Sequence, residues 1–339
     1  MKWIISLLFI LTASPLFSQT DYWSYLVYFS GCPVNHIPKG IAVPDRDPGS
    51  RAIINAIIDG YTYSQLLQKY PDSLDYRLDQ LINGKVIEAE NDAYKLLFPV
   101  FTGTKREELQ KEIQSRLSSS NITLDTLVSQ LNKAFTGNPD MVFHFLWSRI
   151  MDDSWWNLYN SIFNTETGPP SIAFIVYPPH PFQCGTNSDY SPGNDMYAMT
   201  WSYNLFDEFF SVPPTASFFS LAEGQPVSTS DEAFFVKYGL ADSEGHSLIF
   251  TYTVNDSLDL ICDKLKINYI NLISGLFDYG ELSRTFGVPA DDLFIVVSHE
   301  LAYELIGELY NGRSVYVPIM LKDNPERNFR NLISIRYED

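Results

Sequence analysis

The chain of 339 residues reads as an α+β protein. Between residues 50 and 100, helix-patterned segments lead into a short strand pair. Amphipathic helical period then runs from 103 to 167, and beyond 168 the order is strands, helices, strands. A hydrophobic content of 45%, with 15% aromatic and only 19% charged residues, suits ring-filled cores and not a disordered chain.

The N-terminus, "MKWIISLLFILTASPLFSQ", places Lys2 before an apolar run from Trp3 to Phe17 and then small and polar residues. This is the build of a secretory signal peptide over 1–18, with Gln19 as the first mature residue. A run of about 15 residues falls short of the about 20 that a spanning helix needs, so no stable transmembrane segment is expected after its removal. Export to a periplasmic or extracellular compartment follows. Cys32 in "YFSGC" offers a lipid-anchored alternative, opposed by Phe29 at a usually aliphatic position and by Asp21 interrupting the apolar run. With Cys32, Cys184 and Cys262 as its 3 cysteines, the chain encodes at most one intramolecular disulfide.

Residues 19–49 read as an irregular lead-in, rich in Pro and Gly from Gly31 to Pro48. A unit over 50–102 follows. Ile53, Ile54, Ile57 and Ile58 form one helical stripe ended by Gly60, and "TYSQLLQKY" is a short second helix. Pro71-Asp72 turn the chain, and Ser73 to Asn83 carries Leu74, Leu78, Leu81 and Ile82 at apolar spacing, stopped by Gly84. "KVIEAENDAYKLLFPV" gives two strands about a tight turn at Asn91-Asp92.

Three helices and a β-hairpin in this order resemble the winged helix-turn-helix family. The resemblance implies a second motif helix able to enter a DNA major groove, with the hairpin wing on phosphates, although the family also includes modules that bind only proteins. The charges oppose the DNA version. The groove-facing helix offers Asp72, Asp75, Tyr76, Asp79 and Gln80, with Arg77 its only cation, and the wing tip "EAEND" is acidic. The whole chain carries −18, from 23 basic and 41 acidic residues, which repels phosphate. Nucleic acid is therefore an unfavoured partner, and another protein or a cell-surface ligand the favoured one. Tyr76, Arg77 and Gln80 are the module's candidate binding residues.

Residues 103–167 read as a helical connector: two amphipathic helices with Thr104 and Thr123 as caps, then a more buried helix holding His144, Trp147, Trp155 and Trp156. Residues 168–339 read as an α+β domain. "SIAFIVYPP", "MYAMTWSYN", "AFFVKYG" and "HSLIFTYTV" are predicted strands. Helices follow over 257–274, 281–286 and 291–310, and "VYVPIML" with "NLISIRY" suggests a closing hairpin. "YGELSRTFGVPADDL" also has helix-turn-helix phrasing.

Candidate chemistry is sparse. "SHELAYE" opens like a zinc-protease helix, but the position four after His299 is Tyr303, so the second imidazole is missing, and Glu304 at i+5 sits about 140° away around the helix. The alternative is a core stripe backed by a solvated face bearing Glu300, Glu304 and Glu308. His180 precedes Cys184 by four residues in "HPFQCGTN", a weak thiol–imidazole pair that Asn187 or Asp189 would orient. The stretch from His180 to Tyr203 gathers Asn187, Tyr190 and Trp201 in what read as irregular loops, and these three are the second domain's candidate binding residues. Phosphate, dinucleotide and nucleophile-elbow signatures are missing, so neither cofactor nor metal is expected. The weak catalytic candidates are Cys184, His180, His299 and Glu300. The sequence thus favours an exported non-enzymatic binding protein over two alternatives, a winged-helix DNA-binding regulator and a secreted hydrolase.

Overall fold

A computed structural model describes residues 26–28, 47–120, 122, 124–136, 138–170, 172–191, 195–202, 213–315 and 333–338. The expected signal segment, Cys32 and the Thr123 cap lie outside them. The fold is α+β.

The first unit forms from local signals. Helix α1 (Pro48–Ile58) starts at Asp47, whose carboxylate accepts from the backbone N–H of Gly49 and Ser50, with Pro48 in the first turn. Helix α2 (Tyr63–Lys69) is opened by a reciprocal capping box between Thr62 and Gln65. Helix α3 (Leu74–Asn83) buries Leu74, Leu78 and Leu81. Strand β2 (Ile87–Glu90) then pairs antiparallel with β3 (Ala93–Leu96). Asn91, at φ 56°, supplies the left-handed residue that the two-residue turn requires.

Strand β4 (Val100–Phe101) runs parallel to β5 (Ala173–Val176), whose other edge takes β1 (Leu26–Tyr28) antiparallel. The lead-in is therefore not irregular throughout. Alternation along β5 divides two cores: Ala173 and Ile175 pack with Ile53, Leu66, Leu78 and Phe98, whereas Phe174 and Val176 pack on the other side.

That second core is the larger. It draws on α4 (Gly103–Ser120), α5 (Asp125–Ala134), α6 (Pro139–Phe145) and α7 (Trp155–Phe163), and also on α10 (Ser257–Ile273), α11 (Tyr279–Phe286) and α12 (Ala290–Asn311). Residues 103–167 are thus part of one core with the later helices and do not serve as a connector between cores. Between α6 and α7 the chain widens into a π-helical turn (Leu146–Met151) and tightens into a 3₁₀ turn (Asp152–Ser154). Helix α12 is apolar around most of its circumference and lies at the centre, buried from Leu293 to Leu309 apart from Glu304 and Glu308. It is the second helix of the helix-turn-helix phrase at 279–293, and its burial removes it as a free groove reader.

Strands β6 (Cys184–Tyr190), β7 (Met196–Ser202), β9 (Ile333–Tyr337) and β8 (Phe250–Thr253) form a sheet in the order β6-β7-β9-β8. One face, with Tyr197, Met199, Ile333 and Ile335, packs on α8 (Thr215–Ala222) and α9 (Thr229–Lys237). The opposite face meets the large core.

Three expectations for this region are corrected. "AFFVKYG" belongs largely to helix α9, because Ser228 caps it through Asp231 N–H and Phe235 with Tyr238 bury one side. The stretch from His180 onward includes two paired antiparallel strands, Cys184–Tyr190 and Met196–Ser202, where pairing with β7 overrides the polar composition of β6. "NLISIRY" does not close a simple hairpin with "VYVPIML": both edges of β9 are taken by β7 and β8, and 316–321 lies outside the described residues.

Candidate functional site

The "SHELAYE" turn of α12 is where polar side chains collect. Glu300, expected on a solvated face, is buried and forms an ion pair with Arg106 of α4 at 2.9 Å. Arg106 also donates from Nε to the carbonyl of Pro178 at 3.3 Å. The inward stripe of α4 is Arg106, Leu109, Ile113 and Leu117, so a cation occupies the first of its core positions. Burial raises the Glu300 carboxyl, with Glu304 adding to the rise while Arg106 and His180 oppose it.

One turn on, Glu304 accepts from Gln110 and Gln114 Nε2, at 3.2 Å each. His180 Nε2 lies 3.5 Å from the same oxygen. Because His180 Nδ1 accepts from the backbone N–H of Phe182, the ring proton resides on Nε2 and faces Glu304. Tyr303 stacks between Trp147 and His180, with centroids at 5.4 and 5.6 Å, and donates its hydroxyl to the carbonyl of Cys184 at 2.9 Å.

His299 faces the other way. Its Nδ1 donates to the carbonyl of Ile295 at 2.7 Å, and its ring lies against Trp155 and Phe174. Burial pushes its pKa down to about 3, so the ring is neutral at ordinary pH. The Cys184 thiol sits in the large core, and burial, with the nearby Asp152 charge, holds it well above the usual thiol range. The structure brings His180, Cys184 and Glu300 into one neighbourhood around Tyr303. It forms no hydrogen bond between His180 and the Cys184 thiol among the described residues.

Two further polar groups were not legible in the sequence. His144 bridges Thr200 of β7 and Ser334 of β9 at 2.7 and 2.8 Å, fully buried, with its pKa pushed by burial to about 3. Arg149, on the π-helical turn, reaches Asp153 at 2.7 Å and Asp259 at 2.9 Å, while Lys266 meets Asp153 at 2.9 Å and Arg336 meets Asp259 at 3.5 Å. This network fastens the π turn to α10 and β9. Next to it, partial burial beside Asp153 raises the Asp152 carboxyl to about 8, with Thr186 opposing in part.

The candidate binding residues divide. Tyr76 is 64% exposed on α3 and accepts from Gln80 Nε2 at 2.7 Å. Arg77 is not turned outward as expected. It lies across the start of α1 against Gly49, ion-paired with Asp47 at 2.8 Å. Asn187, Tyr190 and Trp201 occupy paired strand positions, opposite Met199, Met196 and Gly185. A cleft of about 320 Å³ lies elsewhere, lined by Leu124, Asp125, Leu305, Glu308 and Ser314 among others. Among the described residues no three His, Cys, Asp or Glu side chains converge so as to hold a metal ion, and no helix is long and apolar enough to cross a membrane. The chain matches no known family model, no curated protein and no solved structure.

Proposed function

We propose that this chain is an exported, non-enzymatic binding protein in which residues 50–102 form a winged-helix-like module kept as a contact surface for another protein. The observation that carries the reading is that the side chains which catalysis or groove reading would need are engaged internally. Glu300 pairs with Arg106, His299 bonds the main chain, the Cys184 thiol lies in the core, and Arg77 is tied to Asp47. In its first two turns α3 leaves Asp75, Tyr76 and Asp79 exposed, two acids and a ring where a DNA reader places cations, and Ile82 and Asn83 at its end add no charge. Export rests on the residue pattern of 1–18.

A photo-crosslinking residue at position 76, introduced into the full-length protein in its native host, tests the reading. The expected product is a discrete protein adduct recovered outside the cytoplasm. A nucleic-acid adduct, or duplex DNA binding at low salt that weakens steeply as salt rises, would overturn it in favour of the regulator.

A further inference from the structure

We infer that the partner presents a lysine- or arginine-bearing segment to the face of this module built by α3, the start of α2 and the hairpin turn; the inference rests on the protein-contact reading above. The face is continuous. The backbone N–H of Tyr63 donates to the carbonyl of Asp92 at 2.9 Å, drawing the hairpin turn onto α2. The Tyr63 hydroxyl donates to Asp75 at 3.0 Å, joining α2 to α3. Tyr94 is half-buried among them, and its phenol is raised by burial and by Tyr63, Asp75, Asp79 and Asp92. Tyr76 stands exposed one position beyond Asp75.

Charge complementarity selects the occupant. Two cations near this face in sequence point elsewhere: Arg77 to Asp47, and Lys95 to Glu88 and Glu90 at 3.3 and 3.7 Å. Lys69 lies over the rings of Tyr61 and Tyr70. Among the described residues no basic side chain forms an ion pair with Asp75, Asp79 or Asp92. Carboxylates interleaved with phenol rings suit an ammonium or guanidinium, which gains charge-assisted hydrogen bonds from the first and cation–π attraction from the second. The net charge of −18 steers such a partner inward, whereas the rings give this face a preference that charge alone would not.

The test uses the full chain and a short fluorescent peptide alternating arginine with leucine. Asp75→Asn with Asp79→Asn removes two exposed charges from the face while leaving Tyr63 an acceptor. Glu107→Gln with Glu108→Gln removes two exposed charges from α4 as the control. The expected result is a loss of about tenfold in affinity for the face variant and less than about twofold for the control. Equal losses would overturn the inference, leaving only attraction to net charge. The crosslink at position 76 separates the two failures. An adduct unchanged by Asp75→Asn and Asp79→Asn removes the basic partner but keeps the protein contact, and the absence of any protein adduct removes both.

Discussion

Arg106 of α4 and Glu300 of α12 form an ion pair at 2.9 Å with side chains only 5% and 4% exposed. The two halves of such a pair are not equivalent when stranded, because a guanidinium cannot shed its proton whereas a carboxyl can gain one. Glu300→Leu is therefore expected to cost about 3–5 kcal/mol at pH 8, where the pair is charged, and Arg106→Met less at pH 5 than at pH 8. Urea titrations at the two pH values check this. The double variant Arg106→Met/Glu300→Leu is expected to recover much of the loss, and a double variant as unstable as the sum of the singles would contradict the pairing.

Stability is expected to peak near pH 6–7. His144 and His299 are buried neutral at about 3, so the unfolded chain binds more protons than the folded one between about 6.5 and 3. Each then lowers stability by about 1.4 kcal/mol per pH unit as pH falls through that window. Asp152 has the opposite sign: with its carboxyl raised to about 8, the folded state holds the extra proton, and stability falls as pH rises from about 4 to 8. The raised carboxyl of Glu300 works in the same direction. Asp152→Asn is expected to flatten the alkaline side and to stabilise the protein at pH 9 by on the order of 1–3 kcal/mol, a figure discounted for the solvent that the carboxyl still meets. Denaturant midpoints measured from pH 4 to 9 check both limbs.

Asp47 holds the entry to α1 through three residues, Gly49, Ser50 and Arg77. Burial opposes its ionisation, yet hydrogen bonds from Ser50, Arg77 and Gly49 keep its pKa down at about 2. Asp47→Ala is expected to destabilise the module by about 1–2 kcal/mol, the usual cost of a lost cap with some contribution from Arg77. The contribution is present above about pH 4 and is lost as pH falls towards 2. Amide exchange in 48–58 is the direct readout.

Native Cys184 and Cys262 are expected to resist alkylation. Both are buried, and burial lifts the Cys262 thiol to about 12 in spite of Arg149 and the Cys184 thiol well above its usual range. Iodoacetamide at pH 8 should label these two positions only as denaturant unfolds the chain, as followed by peptide mass spectrometry. Rapid labelling of native Cys184 would restore it as a candidate nucleophile.

What could be read in the sequence is what short-range chemistry dictates. The helix stripes of α1 and α3, the stop at Gly84 and the Asn91-Asp92 turn are decided within a few residues, as are α10 to α12. Strand β6 is different: Gly185, Asn187, Ser188 and Asp189 have little strand preference, Thr186 alone among them favours a strand, and pairing with β7 imposes the conformation. Helix α9 misleads in the other direction, since Phe234, Phe235 and Val236 look like strand while the Ser228 cap decides for helix. Among the candidate site residues, Glu300 looked solvated because its partner is on α4, nearly two hundred residues earlier. The clue was Arg106 itself, a cation at the head of an otherwise apolar stripe. His144 gave no comparable sign, because its hydroxyl partners come from β7 and β9.

Strand β5 serves two masters, with Ala173 and Ile175 turned to the N-terminal core and Phe174 and Val176 to the larger one. The N-terminal unit is consequently not a detachable segment of chain: cut after residue 102, it would lose the two side chains that seal its floor. Nor can either core melt alone without stripping one side of a strand that the other still needs. The two cores that share β5 are expected to unfold together, so that anything gripping the module from outside tightens the larger core as well.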